Sequence, residues 1–102
     1  MSPVPDDLAR NYRVAYLRSL AGPHEGALSD GYSIGRAAVE QGVSLLELAE
    51  LHHEVFLAVL RGTPPDDVAE VATASSAFLL EVLAAYDMAQ RTLFRGEGGR
   101  PG

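Results

Sequence analysis

The chain has 102 residues, the size of one domain with a single hydrophobic core. Its formal net charge of −6 excludes the clustered basic surface that nucleic-acid binding needs, and all eight of its Lys or Arg positions are arginine. The absence of cysteine excludes disulfides, thiolate metal sites and cysteine nucleophiles.

Membrane and export signals are not evident in the sequence. No uninterrupted run of about 18 apolar residues is present, which is the length that a membrane-spanning helix needs. The first residues lack the basic and then apolar layout of a signal peptide. The sequence therefore predicts no membrane segment and a cytoplasmic location.

The first predicted helix covers residues 5–20. Pro5 suits a first helical turn, and the two aspartates that follow it complement the helix dipole. Gly22 and Pro23 form a helix stop signal. Residues at helical spacing predict an apolar stripe formed by Leu8, Tyr12, Ala15, Tyr16 and Leu20.

The second predicted helix covers residues 25–41, and Gly42 is placed to cap it in the left-handed conformation. Its predicted apolar stripe is Leu28, Tyr32, Gly35 and Val39. Gly31 and Gly35 lie on one face, and each costs about 1 kcal/mol relative to alanine inside a helix. Close approach of another helix would offset that cost. The sequence leaves open whether this helix belongs to the same chain or to a dimer partner.

The third predicted helix begins after Ser44, which forms a capping box with Glu47, and it ends at residues 61–65. One side of this helix is apolar and carries Leu45, Leu48, His52, Val55, Phe56 and Val59. The other side carries Glu47, Glu50, Glu54 and Arg61. We assign His52, together with Gly31, Tyr32 and Gly35, to helix packing or a dimer interface.

The fourth predicted helix starts at residues 65–67 and extends to about residue 94. Its predicted inner stripe is Val68, Val71, Ser75, Phe78, Val82, Tyr86, Ala89 and Leu93. The glycine-rich residues 95–102 predict a flexible tail, so the domain covers residues 5–94. Amphipathic helices joined by short connections predict an all-α, antiparallel four-helix bundle, which dimerisation would help to stabilise.

The outward side of the fourth helix carries a second apolar pattern. By helical phase, Leu80, Ala84 and Met88 point away from the inner stripe. Exposed together, they would form an apolar ridge of the kind that marks protein interaction sites. The alternative is that the bundle itself or a dimer partner covers them. Both alternatives indicate protein contact and not catalysis.

His52 and His53 invite two interpretations. The simpler one is that His52 is a structural histidine, hydrogen-bonded inside the bundle. The alternative is a phosphoryl-accepting histidine, His52 or His53, as in histidine phosphotransfer domains, which are also four-helix bundles. Such a histidine is exposed and usually has a lysine nearby, but this chain has no lysine.

Metal binding and catalysis have little support in the sequence. Glu50 and His53 form a Glu-x-x-His motif, but a di-iron bundle needs two such motifs and two further glutamates. Ser75 and Ser76 have no acid–base partner near them in the sequence. We therefore predict no metal, no cofactor and no enzymatic activity.

Several segments resemble a known family. They are Tyr16-Leu17, the Gly-Tyr-Ser-Ile-Gly-Arg run at 31–36, the Leu-His-His-Glu run at 51–54, and the Phe-Leu-Leu-Glu-Val-Leu-Ala-Ala-Tyr-Asp-Met-Ala run at 78–89. Their order and spacing are similar to those of the N-terminal domain of RsbU, the stress-response phosphatase of bacterial partner-switching systems. The resemblance extends from about residue 8 to residue 94.

The resemblance implies a cytoplasmic, all-helical homodimer that recruits an RsbT-like switch kinase of the GHKL ATPase type. In the family, this docking activates an attached metal-dependent phosphatase of the PP2C type, which dephosphorylates an anti-sigma-factor antagonist. The Asp and Gly motifs of that phosphatase are absent from these 102 residues. The implied role is therefore that of a regulatory domain, which acts in trans or as part of a larger protein.

The resemblance also implies where the kinase would bind. The surface combines the start of the second helix with the outward side of the fourth, at Glu25, Ser29, Leu80 and Ala84. The last two positions coincide with the ridge predicted from helical phase, which adds Met88. Because Ser29 and Ala84 are small, a partner other than an RsbT-like kinase stays open.

Overall fold

The computed structural model describes residues 4–21 and 25–98, with the side chains of residues 4–21 and 29–92. It contains four α-helices, α1 (Asp6–Leu20), α2 (Glu25–Glu40), α3 (Leu45–Arg61) and α4 (Val68–Gly98). A 3-10 turn, Pro65–Asp67, leads into α4. Since no strand occurs in the described ranges, the predicted all-helical fold is confirmed.

The connection between α2 and α3 follows the predicted capping signals. Gly42 has a φ of 74°, the left-handed conformation that glycine adopts without strain. The Val43 amide donates to the Ala38 carbonyl at 2.9 Å, which is the long bond of a Schellman motif. The Ser44 amide donates to Glu47 Oε1 at 2.7 Å, and the Glu47 amide donates to Ser44 Oγ at 3.1 Å. The predicted cap and capping box are therefore confirmed.

The end of α4 differs from the prediction. The helix continues to Gly98, whereas the sequence predicted an end near residue 94 and a flexible tail from residue 95. Isolated glycines weaken a helix by only about 1 kcal/mol each, and the first proline in this region is Pro101. The glycines at 96 and 98 therefore do not stop the helix. Residues 99–102 lie outside the described part of the chain.

The core is built around aromatic residues of α1 and α4. Tyr12 and Tyr16 are fully buried, and Phe78 packs edge-on against both rings, with centroids 5.3 and 5.8 Å away. The predicted α1 stripe is confirmed, with Leu20 partly buried. The other buried apolar residues are Val4, Leu8, Ala15, Ile34, Ala38, Val43, Leu48, Leu51, Val55, Val82, Ala85 and Tyr86.

The closest helix pair is α2 and α4, which meet at the two glycines. A Cβ built on Gly35 would lie 2.6 Å from Ala85 Cβ and from the Val82 carbonyl oxygen. A Cβ on Gly31 would lie 3.1 Å from Glu81 Cβ. The glycines therefore allow close helix packing within one chain. Because Gly31 faces residues 81–82 and Gly35 faces residues 82–86, the two helices run in the same direction.

Three predicted stripe residues are more exposed than the helical phase indicated. Tyr32 is 47% exposed, Leu45 50% and Val68 39%. Because α2 contacts α4 through its glycine face, Ile34 and Ala38 fill the positions beside it and Tyr32 is left outside. Leu45 and Val68 open their helices, where fewer neighbours cover them. The side chains of Leu28 and Leu93 lie outside the described residues.

Residues 65–92 form a helix that is long and apolar enough to cross a membrane by length and composition alone. The sequence analysis predicted no such segment. Core helices of soluble proteins also meet this criterion when they are mostly buried, and 22% of the apolar window of this helix is buried in the domain. In this helix Glu70, Glu81 and Asp87 interrupt the apolar residues, and charges at bilayer depth are costly. Its Phe78, Val82 and Tyr86 are buried against the rest of the domain.

Candidate partner-binding surface and buried histidine

The outward side of α4 carries the predicted apolar residues. Leu80 is 65% exposed and Met88 is 60% exposed, and Ala84 between them is exposed as well. We call these three residues the α4 ridge. Their neighbours Phe78, Val82 and Tyr86 point the other way and are buried, so the helical phase separated the two faces correctly.

The face of α2 beside the ridge is exposed too. Ser29 is exposed, and Tyr32 and Arg36 follow it at helical spacing. The side chain of Glu25 lies outside the described residues. The sequence analysis did not assign Arg36 to the surface and placed Tyr32 in helix packing. Their spacing of three and seven residues from Ser29 is the signal that would have identified both.

A groove of about 530 Å³ runs along the surface where this part of α2 meets α4. It is lined by Tyr32, Arg36, Val39, Glu40, Ala85, Met88, Ala89 and Thr92. The Arg36 guanidinium lies 5.9 Å from the centre of the Tyr32 ring and pairs with Glu40 at 3.6 Å. Since Met88 belongs to both the ridge and the groove, the two form one continuous surface.

One ion pair fixes the start of α2 against α1. Arg18 Nε lies 3.3 Å from Asp30 Oδ2, and within the described residues the other ion pairs lie inside single helices. Asp30 Oδ2 is buried and has no hydrogen bond beyond this pairing. The pair therefore connects α1 to the turn of α2 that carries Ser29, at a partly exposed site where an ion pair contributes little to stability.

His52 lies in the core, where α1, α3 and α4 meet. Its ring is 8% exposed, and its Nδ1 lies 2.6 Å from the Tyr12 hydroxyl. Its Nε2 lies 3.3 Å from the Ser75 hydroxyl. Tyr16 packs edge-on against the imidazole, and Phe56 stacks on it. We call His52, Tyr12, Tyr16 and Ser75 the His52 cluster. The structure thus places His52 as a structural histidine.

Burial sets the protonation of this cluster. Desolvation lowers the pKa of His52, and the nearby charge of His53 lowers it further. Burial raises the pKa of Tyr12 and of Tyr16, so both hydroxyls stay protonated. The Ser75 hydroxyl lies close enough to oppose the shift at Tyr16, although Tyr16 Oη makes no hydrogen bond of good geometry. The cluster is therefore neutral near pH 7.

The cluster does not have the form of an active site. Ser75 and His52 pair like a nucleophile and its base, but Ser75 is 2% exposed and no substrate could reach it. The same burial gives no support to His52 as a phosphoryl acceptor. His53 is exposed, but it lies beside Glu54 and one turn after Glu50, whose carboxylates would repel a phosphoryl group. The structured part of the chain gathers no three His, Asp or Glu side chains that could hold a metal ion.

A family model described as "Phosphoserine phosphatase RsbU, N-terminal domain" matches residues 10–89. The match includes all of α2 and α3 and the whole α4 ridge. No curated protein and no solved structure matches the chain.

Proposed function

The chain belongs to the family of RsbU N-terminal domains, and from this membership we propose that it is a non-catalytic domain that regulates partner switching by binding other proteins. We place its action in the bacterial cytoplasm. The observation that carries the proposal is the α4 ridge, because two large apolar side chains exposed on one helix face form the kind of patch that marks interaction sites.

We further propose that the ridge and the start of α2 bind an RsbT-like switch kinase. Leu80 and Met88 are large apolar anchors on either side of the small Ala84, so a partner side chain can fit between them. Ser29, with Glu25 on the preceding turn, supplies the polar rim that fixes orientation. Tyr32 and Arg36 extend the surface into the groove, and both residue types are common in the centres of interfaces.

Replacement of Leu80 by aspartate is expected to weaken kinase binding by at least about 30-fold, the effect of losing one interface hot spot. The reason is that a carboxylate would be desolvated against the partner's apolar surface. Calorimetric titration with an RsbT-like kinase from the same organism measures the loss. Circular dichroism shows whether the helices persist.

Leu46→Asp is the matched control, because Leu46 is 68% exposed and lies on α3, outside the proposed surface. This variant is expected to bind like the wild type. Equal binding by Leu80→Asp and the wild type would contradict the proposed surface. Unfolding of Leu80→Asp would show that Leu80 belongs to the core.

We also propose that the four helices form an antiparallel bundle that pairs into a homodimer. Short connections between consecutive helices favour antiparallel neighbours, and α2 and α4 run in the same direction, as the second and fourth helices of an up-and-down bundle do. Their contact is the closest in the domain, however, whereas these two helices lie diagonally in a regular bundle. A dimer partner would cover the apolar residues at the α3–α4 end, where Val68 is exposed and Phe56, Val59, Leu60 and Val71 are only partly buried.

Replacement of Val68 by aspartate is expected to shift the protein from dimer to monomer, since it puts a charge into that apolar surface. Sedimentation velocity over a concentration series measures the shift, and Leu46→Asp again serves as the control. A wild type that sediments as a monomer would contradict the dimer. A dimer unaffected by Val68→Asp would place the interface elsewhere.

A further inference from the structure

The His52 cluster joins three helices through one titratable ring. α1 contributes the Tyr12 hydroxyl and the edge of Tyr16, and α4 contributes the Ser75 hydroxyl. The bonded residues are far apart in sequence, 40 positions for Tyr12 and 23 for Ser75. Removing either bond therefore loosens a contact between helices and not a local turn.

The neutral imidazole fits this site. A neutral histidine offers one acceptor and one donor nitrogen. If Tyr12 donates its hydroxyl proton to Nδ1, Nε2–H is free to donate to Ser75 Oγ, and both ring nitrogens are satisfied. The 2.6 Å separation of Tyr12 Oη and Nδ1 is typical of a strong hydrogen bond from a hydroxyl.

The protonated imidazole does not fit. Both of its nitrogens are donors, so Nδ1–H would displace the hydrogen bond that Tyr12 donates to it, and the Tyr12 hydroxyl proton would need another acceptor. The groups that face the ring are Tyr12 and Tyr16 from α1, Ser75 from α4 and Phe56 from α3 itself. On α3 itself the neighbouring titratable group is His53, which repels a second positive charge. Among the described residues no carboxylate contacts the ring to compensate its charge.

We propose that the His52 cluster is an acid-sensitive lock, in which the neutral ring holds α3 against α1 and α4 and the protonated ring releases it. The proposal does not depend on the identity of the kinase or on the dimer. Its consequence for the surface is direct, because Ser75 and Phe78 lie on α4 within two turns before Leu80. When the lock opens, the helix that carries the α4 ridge loses its hydrogen bond to α3 at Ser75.

The direction of the pH dependence follows from proton uptake. In the unfolded chain the pKa of a histidine is about 6.5, and in the folded domain burial lowers the pKa of His52. Above pH 6.5 His52 is neutral in both the folded and the unfolded state, and the stabilisation that the His52 cluster provides is fully present. Below pH 6.5 His52 becomes protonated in the unfolded chain but stays neutral in the folded domain. The unfolding constant then rises by about tenfold for each pH unit until the folded pKa is reached.

Urea unfolding of the full chain between pH 7.5 and pH 5.0 tests the proposal. The wild type is expected to lose stability steeply as the pH falls. His53→Gln removes only the smaller of the two causes that lower the pKa of His52, so it is expected to keep most of this slope. His52→Gln cannot titrate and is expected to show a markedly flatter slope. Tyr12→Phe removes the donor to Nδ1, so the folded ring accepts a proton more readily and the slope flattens in part.

Nuclear magnetic resonance titration of the wild-type imidazoles provides a second measurement, which holds even if His52→Gln fails to fold. The proposal predicts that His52 stays neutral at about pH 6.5, where an unperturbed histidine is half protonated. A His52 ring that titrates like an unperturbed histidine would overturn it. So would a His52→Gln variant that folds and shows the wild-type pH slope.

Discussion

A Gly35→Ala variant is expected to lose about 3 kcal/mol of folding free energy, the upper part of the range for overpacking a core. The added methyl group would lie 2.6 Å from the Val82 carbonyl oxygen and 2.7 Å from the Tyr86 amide nitrogen. Both are backbone atoms of α4, which no rotamer change can move. The two helices would have to separate along their closest contact.

The higher helix propensity of alanine stabilises the Gly35→Ala variant, but this gain is smaller than the loss caused by the steric clash. Alanine gains about 1 kcal/mol over glycine inside a helix, which is already included in the expected net loss. A domain of this length has a total stability of about 5–15 kcal/mol, so the variant should be visibly less stable. Urea unfolding followed by circular dichroism measures the change.

Gly31→Ala is the matched control, one turn earlier on the same face of α2. Its Cβ would lie 3.1 Å from Glu81 Cβ, and its next neighbours are 3.8 Å away. A shift of a few tenths of an ångström accommodates this contact, so we expect a change within about 1 kcal/mol, where the propensity gain and the tight contact largely cancel. Equal stability of the two alanine variants would show that α2 and α4 do not pack as closely as described.

Features that depend on neighbouring residues could be predicted from the sequence. The capping box at Ser44 and the left-handed Gly42 are local signals, and both are present. The buried stripe of α1 and the outward position of Leu80 follow from helical periodicity, because a regular helix keeps its phase over several turns.

Features that depend on which helices meet could not be predicted. The sequence indicated that Gly31 and Gly35 admit another helix, but only the fold shows that this helix is α4 of the same chain. Tyr32 fell outside the core for the same reason. The Tyr86 hydroxyl donates to the Val43 carbonyl at 2.8 Å across 43 positions of sequence, and periodicity carries no information on such a bond.

The candidate surface was predicted in part. Helical phase and the family resemblance agreed on Leu80 and Ala84, and both are exposed. Tyr32 and Arg36 were missed as surface residues because the buried face of α2 includes Gly35 as predicted but is completed by Ile34 and Ala38 and not by Tyr32. The surface assignment of α2 therefore depended on the tertiary packing of its glycines, whereas that of α4 did not.

The two faces of α4 can be separated by a pair of substitutions. Phe78→Ala is expected to cost about 4 kcal/mol of folding free energy, within the range for removing a buried phenylalanine. Phe78 is 4% exposed and contacts both Tyr12 and Tyr16, so its loss leaves a cavity at the centre of the aromatic core. Urea unfolding at pH 7.5, where His52 is neutral, measures this loss without a contribution from protonation.

Leu80→Ala, two positions along the same helix, is expected to change stability by less than about 0.5 kcal/mol because Leu80 is 65% exposed. The same variant should weaken kinase binding, since it removes an anchor of the α4 ridge. If Leu80→Ala destabilises the domain as much as Phe78→Ala does, the ridge is part of the fold and its exposure has no bearing on binding. If it changes neither stability nor binding, the partner uses another face. The proposal is supported only if Leu80→Ala leaves stability unchanged and weakens binding. In that case the inner face of α4 packs in the core, and its outer face binds the partner.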